Sequence, residues 1–297
     1  MSAPVVTGLG AITAHGAGLD ALWKGLLART APFVPRAVDL PPLAVRPPTF
    51  GAHVEAFDPT PWLGKKGVRF LNRESRLFMS AAAMALGAAG LDPRAGTWTP
   101  VDVAVLVATL FAGLDDYTGF YVEGLVGGPN SVSPSRGPQT GYNAPASQLA
   151  IHLGCEAANI TLAGGPAAGL EVFAAAADAL REERAKIAVA GAVESISYYG
   201  LTALESAGWT SDGAEPPRPF DLRRSRPAPG EAGVAIVLEH PRHARGRTLA
   251  RLVASATCSD ATRAESTLRA ALDQAGLRPA DVSAVVASAS GHRETDA

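Results

Sequence analysis

"TLAGGPAAGLEVFAAAADAL", residues 161–180, decides how the chain is read. A short apolar run leads into Gly164, Gly165 and Pro166, and an alanine-rich stretch follows. That order predicts a strand, a tight turn and a helix over 167–185. Pro166 suits the first helical turn, where its missing N–H costs no helical bond. The helix would carry Leu170, Phe173, Ala174, Ala177 and Leu180 on one face. Its alanines all round suit burial between two layers. Enzymes of several folds put a nucleophile at such a turn, and this turn holds none. Two readings stand: a plain glycine turn that opens a core helix, or a reactive turn without its reactive atom.

Strand and helix signals alternate on either side. Apolar runs predict strands over 4–13, 102–109, 158–164, 186–195, 233–240, 248–257 and 282–290. Helical spacing marks 19–28, through Leu19, Leu22, Trp23, Leu26 and Leu27. Further helices are expected over 73–91, ended by Gly90, and over 144–154 and 261–275. Residues 31–62 are rich in proline, show no period and read as a long surface excursion. The alternation argues for a mostly parallel, layered α/β sheet.

Composition narrows the class. The 297 residues are 47% hydrophobic, with a net charge of −2. Core material is plentiful, and nothing in the charge draws the chain to nucleic acid or an acidic membrane. Two cysteines, Cys155 and Cys258, make no disulfide framework. No apolar run spans a bilayer and no leader pattern opens the chain, so a soluble cytoplasmic protein is expected. The six histidines form no metal-ligand pair at helical spacing, and "GLGAIT" lacks dinucleotide-loop spacing. Neither a metal nor a cofactor is expected.

Four stretches, in order, resemble the β-ketoacyl synthases of the thiolase-like superfamily, the condensing enzymes of fatty-acid and polyketide synthesis. They are "VVTGLGAITAHG" (5–16), "FDPTPWLGKKGVRFLNRESRLFMSAAAMALGAAGLD" (57–92), residues 142–195 around the opening turn, and "PRPFDLRRSRPAPGEAGVAIVLE" (217–239). In the last, Phe220, Asp221, Gly230 and Glu231 match the family's "PFD–R–G–GEGA–VLE" motif. The resemblance implies an α-β-α-β-α sandwich of two similar halves, usually dimeric. It divides the chain into a ketosynthase-like half, 1–247, and the beginning of a second half, 248–297, that is incomplete relative to the family.

It also implies what belongs in the turn. The family pattern is "T-A-C-x-S-G". With Gly169 as anchor, Pro166 falls where the cysteine stands and Ala168 replaces the serine. A cysteine there works because a helix N-terminus favours its thiolate, and its N–H helps bind an oxyanion. Proline removes both. The family's histidine in "A-H-G-T-G-T" matches Ser288 in "ASASGH" (287–292), and His292 reads as a surface histidine beyond the strand. Two altered catalytic positions on a retained scaffold resemble the chain-length factors. The expected role is therefore a non-catalytic subunit that pairs with an active ketosynthase, with acyl carrier protein as a further partner.

Two alternatives stay open: an active synthase or acyltransferase with an unrecognised nucleophile, and a stand-alone acyl-thioester-binding protein. By resemblance, the "KIAVAGA" strand pairs across the dimer axis, and Phe111, Leu114, Tyr117, Phe120 and Tyr121 approach the interface and the acyl tunnel. Asp115, Asp116 and Glu123 read as surface charges. Cys155 and Cys258 read as structural. The arginine-rich loop 218–226 reads as solvated, with Phe220 packed inward.

Overall fold

Val103–Ala108 is an unbroken apolar strand, and all its residues are buried. Successive side chains of a strand point to opposite faces, so such a run needs cover on both sides. Val103, Val105 and Val107 join one core with Leu77, Phe78 and Leu149. Ala104, Leu106 and Ala108 join a second with Val172, Ala176 and Leu180. The result is a sheet between two helical layers.

A computed structural model describes residues 2–30, 32–40, 44–92, 95–96, 98–210, 217–224, 226–288 and 290–292. In chain order the elements are β1 (Val5–Thr13), β2 (Gly16–Ala17), α1 (Leu19–Ala28), β3 (Phe33–Leu40), β4 (Ala44–Ala52), α2 (Thr60–Leu63), α3 (Arg73–Ala88) and β5 (Val103–Ala108). They continue with α4 (Leu114–Gly127), α5 (Ala144–Leu153), β6 (Asn159–Leu162), α6 (Ala168–Arg181), β7 (Ile187–Glu194), α7 (Tyr198–Ser206), β8 (Ala232–Glu239), β9 (Ala250–Arg251) and α8 (Ala264–Ala275). The main sheet runs β2-β1-β8-β7-β5-β6, with β9 beside β1. Helix α3 crosses one face against β1 and β8, and α6 covers the other against β7 and β5. The approach of α3 is close: a Cβ on Gly8 or Gly10 would strike the carbonyls of Ala85 or Ala81. Glycine in those strand positions lets a helix backbone sit almost on the strand.

Several sequence expectations need correction. The sheet is mixed: β5 pairs parallel with β6 and β7, whereas β8 runs antiparallel to both β7 and β1. The supposed excursion 31–62 contains the antiparallel hairpin β3–β4. A separate two-stranded sheet is all edge, where prolines are tolerated, so Pro35, Pro47 and Pro48 did not prevent strands. The strand expected over 248–257 is only Ala250–Arg251. Residues 282–288 form no strand, and Val285 and Val286 are exposed. An apolar run supplies side chains, but a strand also needs a neighbour for its backbone, and this one has none among the described residues. Helix α8 likewise has no buried residue.

Strand β7 is not at an edge. It lies between β5 and β8, so it is not free to pair across a dimer axis; β6 holds that edge. In α6 the buried positions are Ala168, Val172, Ala176, Ala177, Ala179 and Leu180, while Leu170 turns outward.

Candidate functional site

β5 and β7 run parallel, so their C-terminal ends meet at one end of the sheet. The turn at Gly164–Pro166 delivers α6 to the same place. Gly165 takes φ 84, a conformation that glycine adopts without strain. Together with Gly230 at the approach to β8, these elements enclose a cavity of 260 Å3. Pro166, Gly169, Ala192, Val193 and Val234 form apolar walls, and Thr109 and Glu194 are its polar side chains. No cysteine, serine or histidine is among the described residues that line it.

Glu194 is the group that the sequence reading missed. It ends an otherwise apolar strand, and its carboxylate accepts hydrogen bonds from the Thr109 hydroxyl (2.6 Å) and the N–H groups of Leu110 and Phe111 (3.0 Å each). Burial raises its pKa, and these donors oppose the rise without cancelling it. A lone carboxylate at the end of an apolar run was the available signal. Next to it, the Ser195 hydroxyl donates to Glu74 in the first turn of α3. Burial pushes Glu74 up to about 7, with the nearby charges of Asp116 and Glu194 adding to the rise.

Glu231 lies on the other side of this junction. Its side chain is 4% exposed and takes a two-pronged hydrogen bond from Arg73, at 2.6 and 2.7 Å. It also accepts the Val54 N–H at 2.9 Å. Burial alone would raise its pKa; the Arg73 hydrogen bonds and charge outweigh that and lower it. Gly230 and Glu231 are thus brought to the site, one in the cavity wall and one in an ion pair behind it.

The other motif residues are not. Phe220 sits in a turn at φ 59 and is 61% exposed, so it is not packed inward. Asp221 binds Arg223 beside it; that hydrogen bond, with the Arg223 N–H, lowers its pKa to about 2. Ser288 is exposed and lies outside the cavity that Pro166 lines. His292 is not a free surface histidine: its ring stacks on Trp209 with centroids 4.5 Å apart. Cys155 packs against the main core, and burial raises its thiol to about 11, far from a nucleophile's range.

Helix α4 leaves the same end of the sheet. Asp115 is no plain surface charge, since it accepts the N–H groups of Tyr198 and Tyr199 at 2.7 and 3.2 Å and so ties α4 to the start of α7. Asp116 is half-buried, and Glu123 pairs with Arg136. Tyr117 and Tyr121 stack in parallel, 6.4 Å apart, one turn from each other on the exposed side. Leu125 extends that stripe by another turn. Phe111, Leu114 and Phe120 are half-buried, with Phe111 against Gly200 of α7. Among the described residues, no group of three His, Cys, Asp or Glu is placed to hold a metal ion, and no helix is long and apolar enough to cross a membrane.

Known proteins share this arrangement. The family model described as "Beta-ketoacyl synthase, N-terminal domain" matches residues 2–244. The tetracenomycin polyketide synthase ketoacyl synthase beta subunit of Streptomyces glaucescens is 31% identical, over 98% of this chain and 75% of its own length. Among solved structures, the ishigamide ketosynthase/chain length factor superposes with a TM-score of 0.85 at 22% identity, over 99% of this chain and 75% of that one. A ketosynthase in complex with its chain length factor from Xenorhabdus doucetiae gives 0.79 at 18% identity, over 99% and 73%. These two support the thiolase-like fold. The glycine-proline turn, the mixed sheet and the matched family model lead to one conclusion: this chain belongs to the β-ketoacyl synthase family.

Proposed function

We propose that the chain is a non-catalytic, chain-length-factor type subunit that pairs with an active ketosynthase in polyketide or fatty-acid elongation. One observation carries the reading. At the strand–turn–helix where the family places its nucleophile, Pro166 offers the cavity neither a thiol nor an N–H. At the same end of the sheet the Glu194 carboxylate accepts the N–H groups of Leu110 and Phe111. Ser288, matched to the family's histidine, supplies no imidazole. The Streptomyces glaucescens relative is named a beta subunit, and two structural neighbours are named for a ketosynthase with a chain length factor.

The partner would use two surfaces. The free edge of β6 accepts a strand from another subunit, and the exposed stripe of α4 faces the growing acyl chain. Leu114, Tyr117, Phe120 and Tyr121 are the proposed interface and tunnel residues, and Phe111, set against Gly200 of α7, supports them from behind. An acyl carrier protein would deliver the chain to the pair; another neighbour is named as a ketosynthase with its carrier protein.

Intact-protein mass spectrometry tests the absence of chemistry. Incubated with acyl carrier protein or acyl-coenzyme A thioesters, the purified chain should gain no mass. Its active partner should gain one acyl group in the same tube. A stable acyl adduct on any residue of this chain would favour the active-synthase reading instead.

A further inference from the structure

At the opposite end of the same strands lies a second cavity. It encloses 240 Å3 where β7 begins and β8 ends. With β7 eight residues long, it sits roughly 23 Å from the Pro166 turn at about 3.3 Å per residue. The volume is below the ~300 Å3 at which drug-sized pockets begin, so the occupant is small.

Glu239 forms its floor. It is 1% exposed, and its Oε1 has no hydrogen-bond partner. A buried carboxylate oxygen without a donor is costly, so a site of this kind calls for one. Of the bases around it, Lys186 holds Asp102 at 2.9 Å, Arg242 faces Glu183 at 3.6 Å, and His243 lies beside the His240 ring with centroids 5.6 Å apart. Arg245 stands exposed at the mouth, with no ion-pair partner among the described residues. One anionic group deep in the cavity and one cationic group at its rim are left over. Trp98 is among the residues that line the cavity.

We propose that this cavity binds a small zwitterion, its ammonium end on Glu239 and its carboxylate end on Arg245. A simple anion would meet Glu239 unpaired, and a simple amine would leave Arg245 unanswered. The Trp98 ring adds a surface that favours a cation. The site does not depend on the function proposed for the other end of the sheet.

The test uses the full chain and three probes of one carbon length: 4-aminobutyrate, butylamine and butyrate. Saturation-transfer NMR and tryptophan fluorescence report binding, with Trp98→Phe removing the local signal. We expect 4-aminobutyrate to bind at least about tenfold more tightly than either single-charge probe, and Glu239→Gln to weaken it by about tenfold or more. Arg245→Ala alters an exposed side chain and leaves the fold intact, so it decides the matter even where Glu239→Gln does not fold. It should erase the preference for 4-aminobutyrate over butylamine. No binding of 4-aminobutyrate at millimolar concentration, equal binding of butylamine, or an Arg245→Ala variant with unchanged preference would each overturn the proposal.

Discussion

Glu74 and Glu231 are buried carboxylates near one end of the sheet, and they respond to pH with opposite sign. Glu74 has a folded pKa of about 7 against 4.5 for the free side chain. Between those values the unfolded chain has lost the proton and the folded chain keeps it. Stability therefore falls as pH rises from 4.5 to 7 and levels off above, by roughly 3 kcal/mol at most. Glu74→Gln should flatten this slope and raise the denaturation midpoint at pH 8, since an amide oxygen still accepts the Ser195 hydroxyl. Glu231 has a lowered pKa, so its contribution is full above 4.5 and is lost as pH falls through the folded value. Glu231→Ala leaves the Arg73 charge without its partner and should cost about 2–3 kcal/mol at pH 7, less than a fully buried pair because the Arg73 side chain is 43% exposed. Urea denaturation at pH 4, 6 and 8 checks both. From sequence, Glu231 is named only as a motif match, and Glu74 is not named at all. The strand and turn around them were legible in apolar runs, glycines and proline. The pairing of Arg73 with Glu231, 158 positions apart, is fixed only by the approach of α3 to β8.

At the scale of elements, β6 is the exposed edge. Val105 donates to the Ala158 carbonyl and Thr109 to that of Leu162, so the even-numbered residues face β5. By the two-residue period, Asn159 and Thr161 turn their N–H groups outward. Thr161→Pro deletes one outward donor and leaves the β5 ladder intact. It should weaken association with the proposed ketosynthase partner by about tenfold while the isolated chain keeps its circular dichroism, a loss of one to two hydrogen bonds. Sedimentation of the mixed subunits measures this; unchanged association would remove β6 from the interface. The sequence placed β1, β5, β6, β7 and β8 of the main sheet but put β7 at this edge. Both are apolar runs with a turn behind them, and only the order of the sheet separates them. The hairpin β3–β4 escaped notice for a similar reason: its prolines fit a strand only where no central ladder has to be completed.

On the scale of the proposed pair, α4 is the element that would gauge chain length. Its outward stripe of Tyr117, Tyr121 and Leu125 is available to line a tunnel, whereas Phe111 is committed to α7. Each added methylene favours a longer buried acyl chain by about 0.8 kcal/mol, so under the proposed role a steric stop, and not affinity, would set length. Tyr121→Ala in the reconstituted complex should shift products to longer chains. Phe111→Ala should lower stability, by about 3 kcal/mol or less for a half-buried ring, and leave product length nearly unchanged. Chromatography of the products and a melting curve separate the two effects. An unchanged product profile for Tyr121→Ala would take α4 out of the role of length gauge.

The antiparallel pairing of β1 with β8 has a consequence in time. Val5 is matched to Glu239, so the first strand made waits for 234 further residues before its long neighbour β8 is complete. At about 5–20 residues per second, that interval is roughly 10–50 s on the ribosome. Throughout it the apolar segment Val5–Thr13 has only the two-residue strand β2 beside it, and the glycines that receive α3 cannot complete a core. Nascent chains stalled before residue 232 should therefore be held by chaperones or be lost to aggregation. Release from that state should come as a single late step, when β8 emerges and closes the centre of the sheet.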